Sequence, residues 1–203
     1  MRPLPELLAR AGELSRHIHG RSLTVFLPGM FRMDGHTGRY PAASITGPCC
    51  SLLCDHCQGR ILETMLPLRN PQDLLETCLR LAERGQLGVL LSGGCNDAGR
   101  MPWETFLPVI REIKDRTRLF VSAHCGLVDR ATAAGLKDAG VDQALIDVIG
   151  DDETYQRVCH VPFGVERIAS TLEALTTAGL PVVPHVICGL DFGRIRGELR
   201  AVE

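Results

Sequence analysis

The chain has 203 residues, enough to bury one sizeable core, and its 45% hydrophobic and 23% charged residues are ordinary for a globular protein in water. A net charge of −2 offers no field to hold nucleic acid or an anionic membrane, so neither is expected as a partner. Nine cysteines, odd in number and scattered, exclude a secreted disulfide scaffold and favour metal binding in a reducing compartment, which points to the cytoplasm.

Met1 to Gly20 reads as an amphipathic helix in which Arg2, Glu6, Arg10 and Glu13 interrupt the apolar residues, unlike a secretion signal. No later run approaches the ~20 apolar residues of a membrane span. Ser22 to Phe31 and Arg39 to Ile45 are strand-forming runs, and Met33 to Gly38 between them suits a turn through Asp34-Gly35. A cysteine-rich loop follows. From there the pattern alternates: a helix from about Pro71 to Arg84 leads to the run Leu87–Leu91, and one from about Pro102 to Arg116 leads to Leu119–Ala123. A helix from about Asp129 to Ala139 then leads to Val141–Ile149, and one from about Val165 to Ala178 leads to Pro181–Ile187.

Short apolar runs separated by amphipathic helices indicate repeated βα units and a parallel sheet. Arg84-Gly85, Ala139-Gly140 and Ala178-Gly179 sit where glycine caps end such helices. The count is five βα-type strands, with Gly193–Leu199 resembling the start of another unit, whereas a complete (β/α)8 barrel takes about 250 residues. The expectation is therefore an α/β fold, an incomplete and open parallel β/α barrel ending after about five βα units. It forms one domain over residues 1–203, with 1–40 as a helix and hairpin-like lead-in and 41–203 as the partial barrel.

Cys50, Cys54 and Cys57 have C-x3-C-x2-C spacing on the loop after the first of these strands. Three such thiolates can hold three irons of a [4Fe–4S] cluster and leave the fourth iron without a protein ligand. A structural zinc site is the alternative, and it needs a fourth ligand that Cys49 or His56 would have to supply. Loops after the C-terminal ends of strands form the active-site face of a β/α barrel. The cysteine loop, Gly93-Gly94, His124-Cys125-Gly126, Asp147–Asp151 and Val186–Asp191 are thus expected to converge on one mouth.

In these residues the chain resembles the radical SAM superfamily, and within it the biotin synthase-like branch. The resemblance runs from about Ser22 onward and is carried by Ser44–Gly47 with the cysteine triplet, by Leu91–Cys95 and by Val186–Leu190. It implies that the cluster binds S-adenosylmethionine through its open iron and cleaves it reductively to a 5′-deoxyadenosyl radical, with electrons from a reducing donor. By the same resemblance His56 lies near the adenine where the family usually has an aromatic residue, and Ser92, Gly93 and Gly94 contact the methionine amino group. Cys95 stands where the family often has Glu. Asp147 ends an apolar strand, where a ribose diol or local backbone N–H groups would satisfy its carboxylate, and Ile187 and Gly189 match the pattern that lies against adenine.

Cys95, Cys125 and Cys188 fall at or just past strand ends and raise an auxiliary iron–sulfur cluster, although they do not align with the ligand positions of that branch. Cys49, Cys78 and Cys159 read as packed small residues, His124 as a mouth residue, and Asp151-Asp152 as the cap of a turn. The Tyr40–Gly47 lead-in and the Cys54–Arg60 segment resemble the two-component lipoyl synthases. That implies sulfur insertion into an octanoyl chain on a carrier protein, together with a second radical SAM protein. The additional N-terminal cysteine motif of the single-chain lipoyl synthase is not found in these residues. The rivals are another radical SAM reaction in cofactor biosynthesis, and a non-catalytic iron–sulfur or zinc binding subunit.

Overall fold

The computed structural model describes residues 3–23, 25, 27, 29 and 31–203. Helix α1 (Leu4–His19) forms as the periodicity requires, with Glu6 in its first turn and Arg16, His17 and His19 in its last, each complementing the helix dipole. The strand expected over Ser22–Phe31 lies partly outside the described residues, and the described positions in that range form no strand. A hairpin of β1 (Arg32–Met33) and β2 (His36–Thr37) follows. Asp34 and Gly35 both take positive φ at its tip, the requirement of a tight two-residue turn.

The main sheet begins at β3 (Ala42–Ser44). After the cysteine loop and a 3-10 turn over Arg60–Thr64 come β4 (Leu66–Pro67), α2 (Pro71–Glu83), β5 (Gly88–Ser92), α3 (Trp103–Arg116) and β6 (Phe120–His124). Then follow α4 (Arg130–Asp138), β7 (Gln143–Asp147), α5 (Asp152–Cys159), α6 (Glu166–Thr177), β8 (Val182–His185) and α7 (Glu198–Ala201). The six strands lie in the order β4-β3-β5-β6-β7-β8, all parallel. This is the open partial β/α barrel that the alternation predicts, with β4 as an additional edge strand. No helix among the described residues is long and apolar enough to cross a membrane.

Helix boundaries follow from side-chain and glycine caps. Asn70, Asp129 and Asp151 each accept a hydrogen bond from the backbone N–H three residues on, which starts α2, α4 and α5. At the other ends Gly85, Gly140 and Gly179 take positive φ, and the following N–H groups of Gln86, Val141 and Leu180 reach back to Leu81, Leu136 and Leu175. That is the Schellman arrangement, which satisfies the last carbonyls of a helix. The core between sheet and helices holds Leu74, Leu91, Trp103, Phe106, Ile110 and Val121, all essentially buried. The Trp103 indole N–H is satisfied by the Cys125 carbonyl at 2.9 Å.

Three sequence expectations are corrected. The last strand stops at His185, so Ile187 lies just beyond it and Gly189 on the turn that follows. Asp151 caps a two-turn helix where only a turn was expected; the eight residues of α5 are mostly polar and too few to show a long apolar stripe. Cys49 is exposed, because its carbonyl is held by Thr46 and its side chain is left on the rim of a groove, while Cys78 is packed in the core.

Candidate functional site

The cysteine loop leaves the sheet at Ser44, whose hydroxyl donates to the Gly47 carbonyl at 2.6 Å. Thr46 joins the loop to the next strand end: its Oγ1 accepts from the Gly94 N–H at 2.7 Å and donates to the Cys49 carbonyl at 3.1 Å. The Ser51 N–H donates to the Cys95 carbonyl at 2.8 Å. Gly94 has to be glycine here, since a Cβ would overlap the Cys49 carbonyl and the Cys50 side chain.

On its other flank the loop leans on the end of α5. The Asp55 N–H donates to the Val158 carbonyl at 2.9 Å. His160, which ends α5 in left-handed conformation at φ 58°, places Nδ1 2.9 Å from the Leu52 carbonyl and Nε2 3.1 Å from Asp55 Oδ1. Leu53 and Gln58 also take positive φ, and the N–H groups of Cys57 and Gln58 both donate to the Cys54 carbonyl. The chain is thus folded tightly enough to present Cys50, Cys54 and Cys57, all partly buried, on one loop at the mouth.

The electrostatics set Cys54 apart. Contact with the Cys159 thiol outweighs burial and, with His160 nearby, lowers the Cys54 pKa, which favours the thiolate that binds metal. The same contact and burial raise Cys159, and burial raises Cys57. Burial pushes Cys95 and Cys125 up to about 12, as it does Cys78 in the core.

Cys54, His56 and Cys159 bring their ligand atoms within 4.8 Å of one another. Cys50 and Cys57 do not join a group that tight among the described residues. A cluster takes its thiolates on different irons, so its ligands stand further apart than those of a single ion. Cys95, Cys125 and Cys188 form no such group either: Cys125 is packed in the core, with its thiol donating to the Ala123 carbonyl at 3.3 Å, and Cys188 is exposed.

Three strand ends supply a second cluster. Asp147 and His185 are register partners on β7 and β8, and His124 on β6 is the register partner of Leu145, two residues before Asp147. Alternation along a strand therefore turns all three side chains to one face. His124 Nε2 stands 3.4 Å, and His185 Nδ1 3.6 Å, from Asp147 Oδ1. Burial works against the charge on Asp147, but the approach of His124 and the imidazoles of His185 and His56 outweigh it and hold its carboxyl below the usual range.

A groove of about 920 Å³ runs beside the loop, lined among others by Thr46, Cys50, Gly94, Cys95, Asn96 and Arg100. That is the size of a small-molecule site. Of the residues singled out for S-adenosylmethionine, Gly94 lines this groove, with Ser92 and Gly93 immediately before it on the same strand end. His56 is exposed beside Cys54. Asp147 lies with the two imidazoles, and Ile187 stands beyond β8, where it lines a small pocket with Val148, Ile149 and Leu190. Gly189 is tied down by its N–H bond to Glu198 Oε1 at 2.7 Å. Cys159, His160 and His185 were not singled out as site residues from the sequence. His185 had a signal, a polar residue ending an apolar run as at His124 and Asp147, whereas Cys159 and His160 reach the loop only through the placement of α5.

Fold and loop together define a partial β/α-barrel protein with three thiols on one loop at the C-terminal end of its strands. A family model, the radical SAM superfamily, matches residues 44–192, and the chain belongs to that superfamily. It is similar to the biotin synthase of Pelotomaculum thermopropionicum, 25% identical over 191 residues that cover 92% of this chain and 55% of that protein. It is also similar to the biotin synthase of Leptospira interrogans, 24% identical over 124 residues that cover 61% of this chain and 35% of that protein. Among solved structures, methylornithine synthase (PylB) shares the fold with a TM-score of 0.66 at 16% identity, over 100% of this chain and 56% of its own. HydG, a maturase of the [FeFe]-hydrogenase, does so with a TM-score of 0.62 at 16% identity, over 94% of this chain and 42% of its own. The chain spans about half, or less, of the length of the relatives it matches.

Proposed function

We propose that this chain is a radical SAM enzyme that binds a [4Fe–4S] cluster through Cys50, Cys54 and Cys57 and S-adenosylmethionine beside it, and that it inserts sulfur into an octanoyl chain together with a second radical SAM protein. The observation that carries the reading is the loop: three thiols at the mouth of a parallel sheet, fixed on one flank by Thr46 and Gly94 and on the other by α5 and His160. The donor set fits the group, since it offers three partly buried soft thiol ligands on one loop, and one of them has its pKa lowered by its neighbour. When bound, the reduced cluster would supply the electron that cleaves S-adenosylmethionine and so a radical able to take hydrogen from an unactivated carbon.

The chain's own residues would bind and orient. The groove edge at Gly94, beside Cys50 and with Ser92 and Gly93 leading into it, is assigned to the methionine end. His56 and Ile187 are assigned to the adenine, Gly189 to its edge, and Asp147 to the ribose through Oδ2, both imidazoles addressing Oδ1. The lipoyl assignment rests on the Tyr40–Gly47 and Cys54–Arg60 segments and needs an octanoyl carrier protein, a sulfide-level sulfur donor, a reducing electron donor and the partner.

Anaerobic reconstitution with iron and sulfide is expected to give a brown protein that forms 5′-deoxyadenosine under reduction, and no product in Cys54→Ala. Addition of the partner and octanoyl carrier should then yield thiolated carrier; 5′-deoxyadenosine without thiolation overturns the lipoyl assignment and leaves the superfamily chemistry. One observation favours a second reading, a zinc-binding subunit: Cys54, His56 and Cys159 are close enough to share one ion. Colourless protein holding zinc and no iron after reconstitution would establish that reading against the first.

A further inference from the structure

We propose that His124, Asp147 and His185 form a mononuclear site for a divalent transition-metal ion of the zinc or ferrous class, separate from the cysteine loop. The separations carry the argument. His124 Nε2 and His185 Nδ1 lie 3.4 and 3.6 Å from the same oxygen, Asp147 Oδ1. The first is a hydrogen bond longer than the usual 2.7–3.2 Å, and the second is too long to be one. Metal–nitrogen and metal–oxygen bonds of about 2.0–2.2 Å place two tetrahedral ligands roughly 3.4 Å apart, which is the spacing found. All three ligand atoms lie within 4.8 Å of one another, and the two rings are tilted at 37° with centroids 5.7 Å apart, so they converge without stacking.

The sheet supports the arrangement. Asp147 and His185 are paired in register across β7 and β8, and His124 projects from the same face of β6. Each ligand therefore rises from a strand end and not from a loop, the kind of placement that fixes a site best. Two imidazoles and one carboxylate leave coordination positions open, the pattern of a catalytic rather than a structural site. The side chains are 27%, 39% and 41% exposed for His124, Asp147 and His185, so the open side faces solvent at the mouth. A divalent ion with a single carboxylate ligand keeps net positive charge, and its open position would draw water or an anionic oxygen donor such as a substrate carboxylate.

The proposal does not rest on the cluster reading, and zinc alone is the probe. The full chain, reconstituted with iron and sulfide, is given one equivalent of Zn2+ and read by zinc K-edge X-ray absorption and by chelator competition. The expected first shell holds only nitrogen and oxygen at about 2.0–2.1 Å, with no sulfur near 2.3 Å. Affinity should fall by more than the ~10–100-fold that loss of an outer-shell partner costs in each of His124→Ala, Asp147→Asn and His185→Gln. Cys54→Ala should leave the zinc shell and affinity unchanged while it removes iron loading, so failure of the loop and failure of this site are told apart. The shell measured on the unaltered chain needs no variant to fold. Sulfur in that shell, or affinity indifferent to His185→Gln, would place the ion on Cys54, His56 and Cys159 and overturn the proposal. An absence of zinc binding up to millimolar metal would overturn it equally.

Discussion

Two groups of side chains with the chemistry of metal ligands share the mouth of this sheet, and they are held in opposite ways. Cys50, Cys54 and Cys57 are neighbours in the chain but sit on a loop whose shape is fixed from outside, by Thr46 and Gly94 on one flank and by the end of α5 on the other. His124, Asp147 and His185 come from three βα units, yet strand register alone brings them together. A ligand set that is compact in sequence can depend wholly on tertiary clamps, whereas one dispersed in sequence can be as rigid as the sheet. The loop should therefore fail through its clamps, and the strand-end group only through its own side chains or the sheet.

The sharpest way to break this contrast is Gly94→Ala. The added methyl would have to displace the Cys49 carbonyl and the Cys50 side chain, an overpacking that costs about 1–3 kcal/mol and moves the loop. Iron content after reconstitution should collapse while zinc affinity at His124, Asp147 and His185 holds; full iron loading would show that the loop does not need this contact. A smaller effect is expected of His160→Ala, which removes the bridge to Leu52 and Asp55 and puts alanine at φ 58°. A loss of about 1–2 kcal/mol in urea unfolding and weaker iron retention are expected, with His160→Asn milder because asparagine tolerates left-handed backbone.

The smallest effect belongs to Asp129→Ala, which touches neither group and serves as the control. Hydrogen bonding to the Thr132 N–H and the ion pair with Arg100 hold Asp129 at about 2. A depressed folded-state pKa means stability present above the ordinary aspartate value and lost as pH falls through about 2. Since the side chain is half exposed, solvent screening reduces the gain to about 0.5–1 kcal/mol. Urea midpoints of the unaltered chain and the variant should differ at pH 7 and converge toward pH 2, with iron and zinc loading unchanged at neutral pH.

Much of the fold was legible because local chemistry and tertiary structure agree. Asn70 and Asp129 precede apolar stripes, glycines follow them, and β5 to β8 appear as apolar runs. What escaped was short or relational. β4 is two residues long and exists only by pairing with β3, and α5 is polar, so its cap looked like a turn. The cysteine spacing was plain, but the contact of Cys54 with Cys159 and the reach of His160 to Asp55 join positions more than a hundred residues apart. His124 and Asp147 could be noticed singly; their meeting with His185 is a matter of strand register, which no local pattern encodes.

The left-handed residues around the loop have a consequence for how such a protein can be improved. Leu53 and Gln58 hold φ of 43° and 49° with side chains that ordinarily avoid this region, and each costs roughly 1 kcal/mol. A chain optimised only to survive heat would replace both with glycine or asparagine. Stabilising substitutions at positions 53 and 58 should thus be easy to find, and those that raise the melting temperature are the ones to screen first for lost metal.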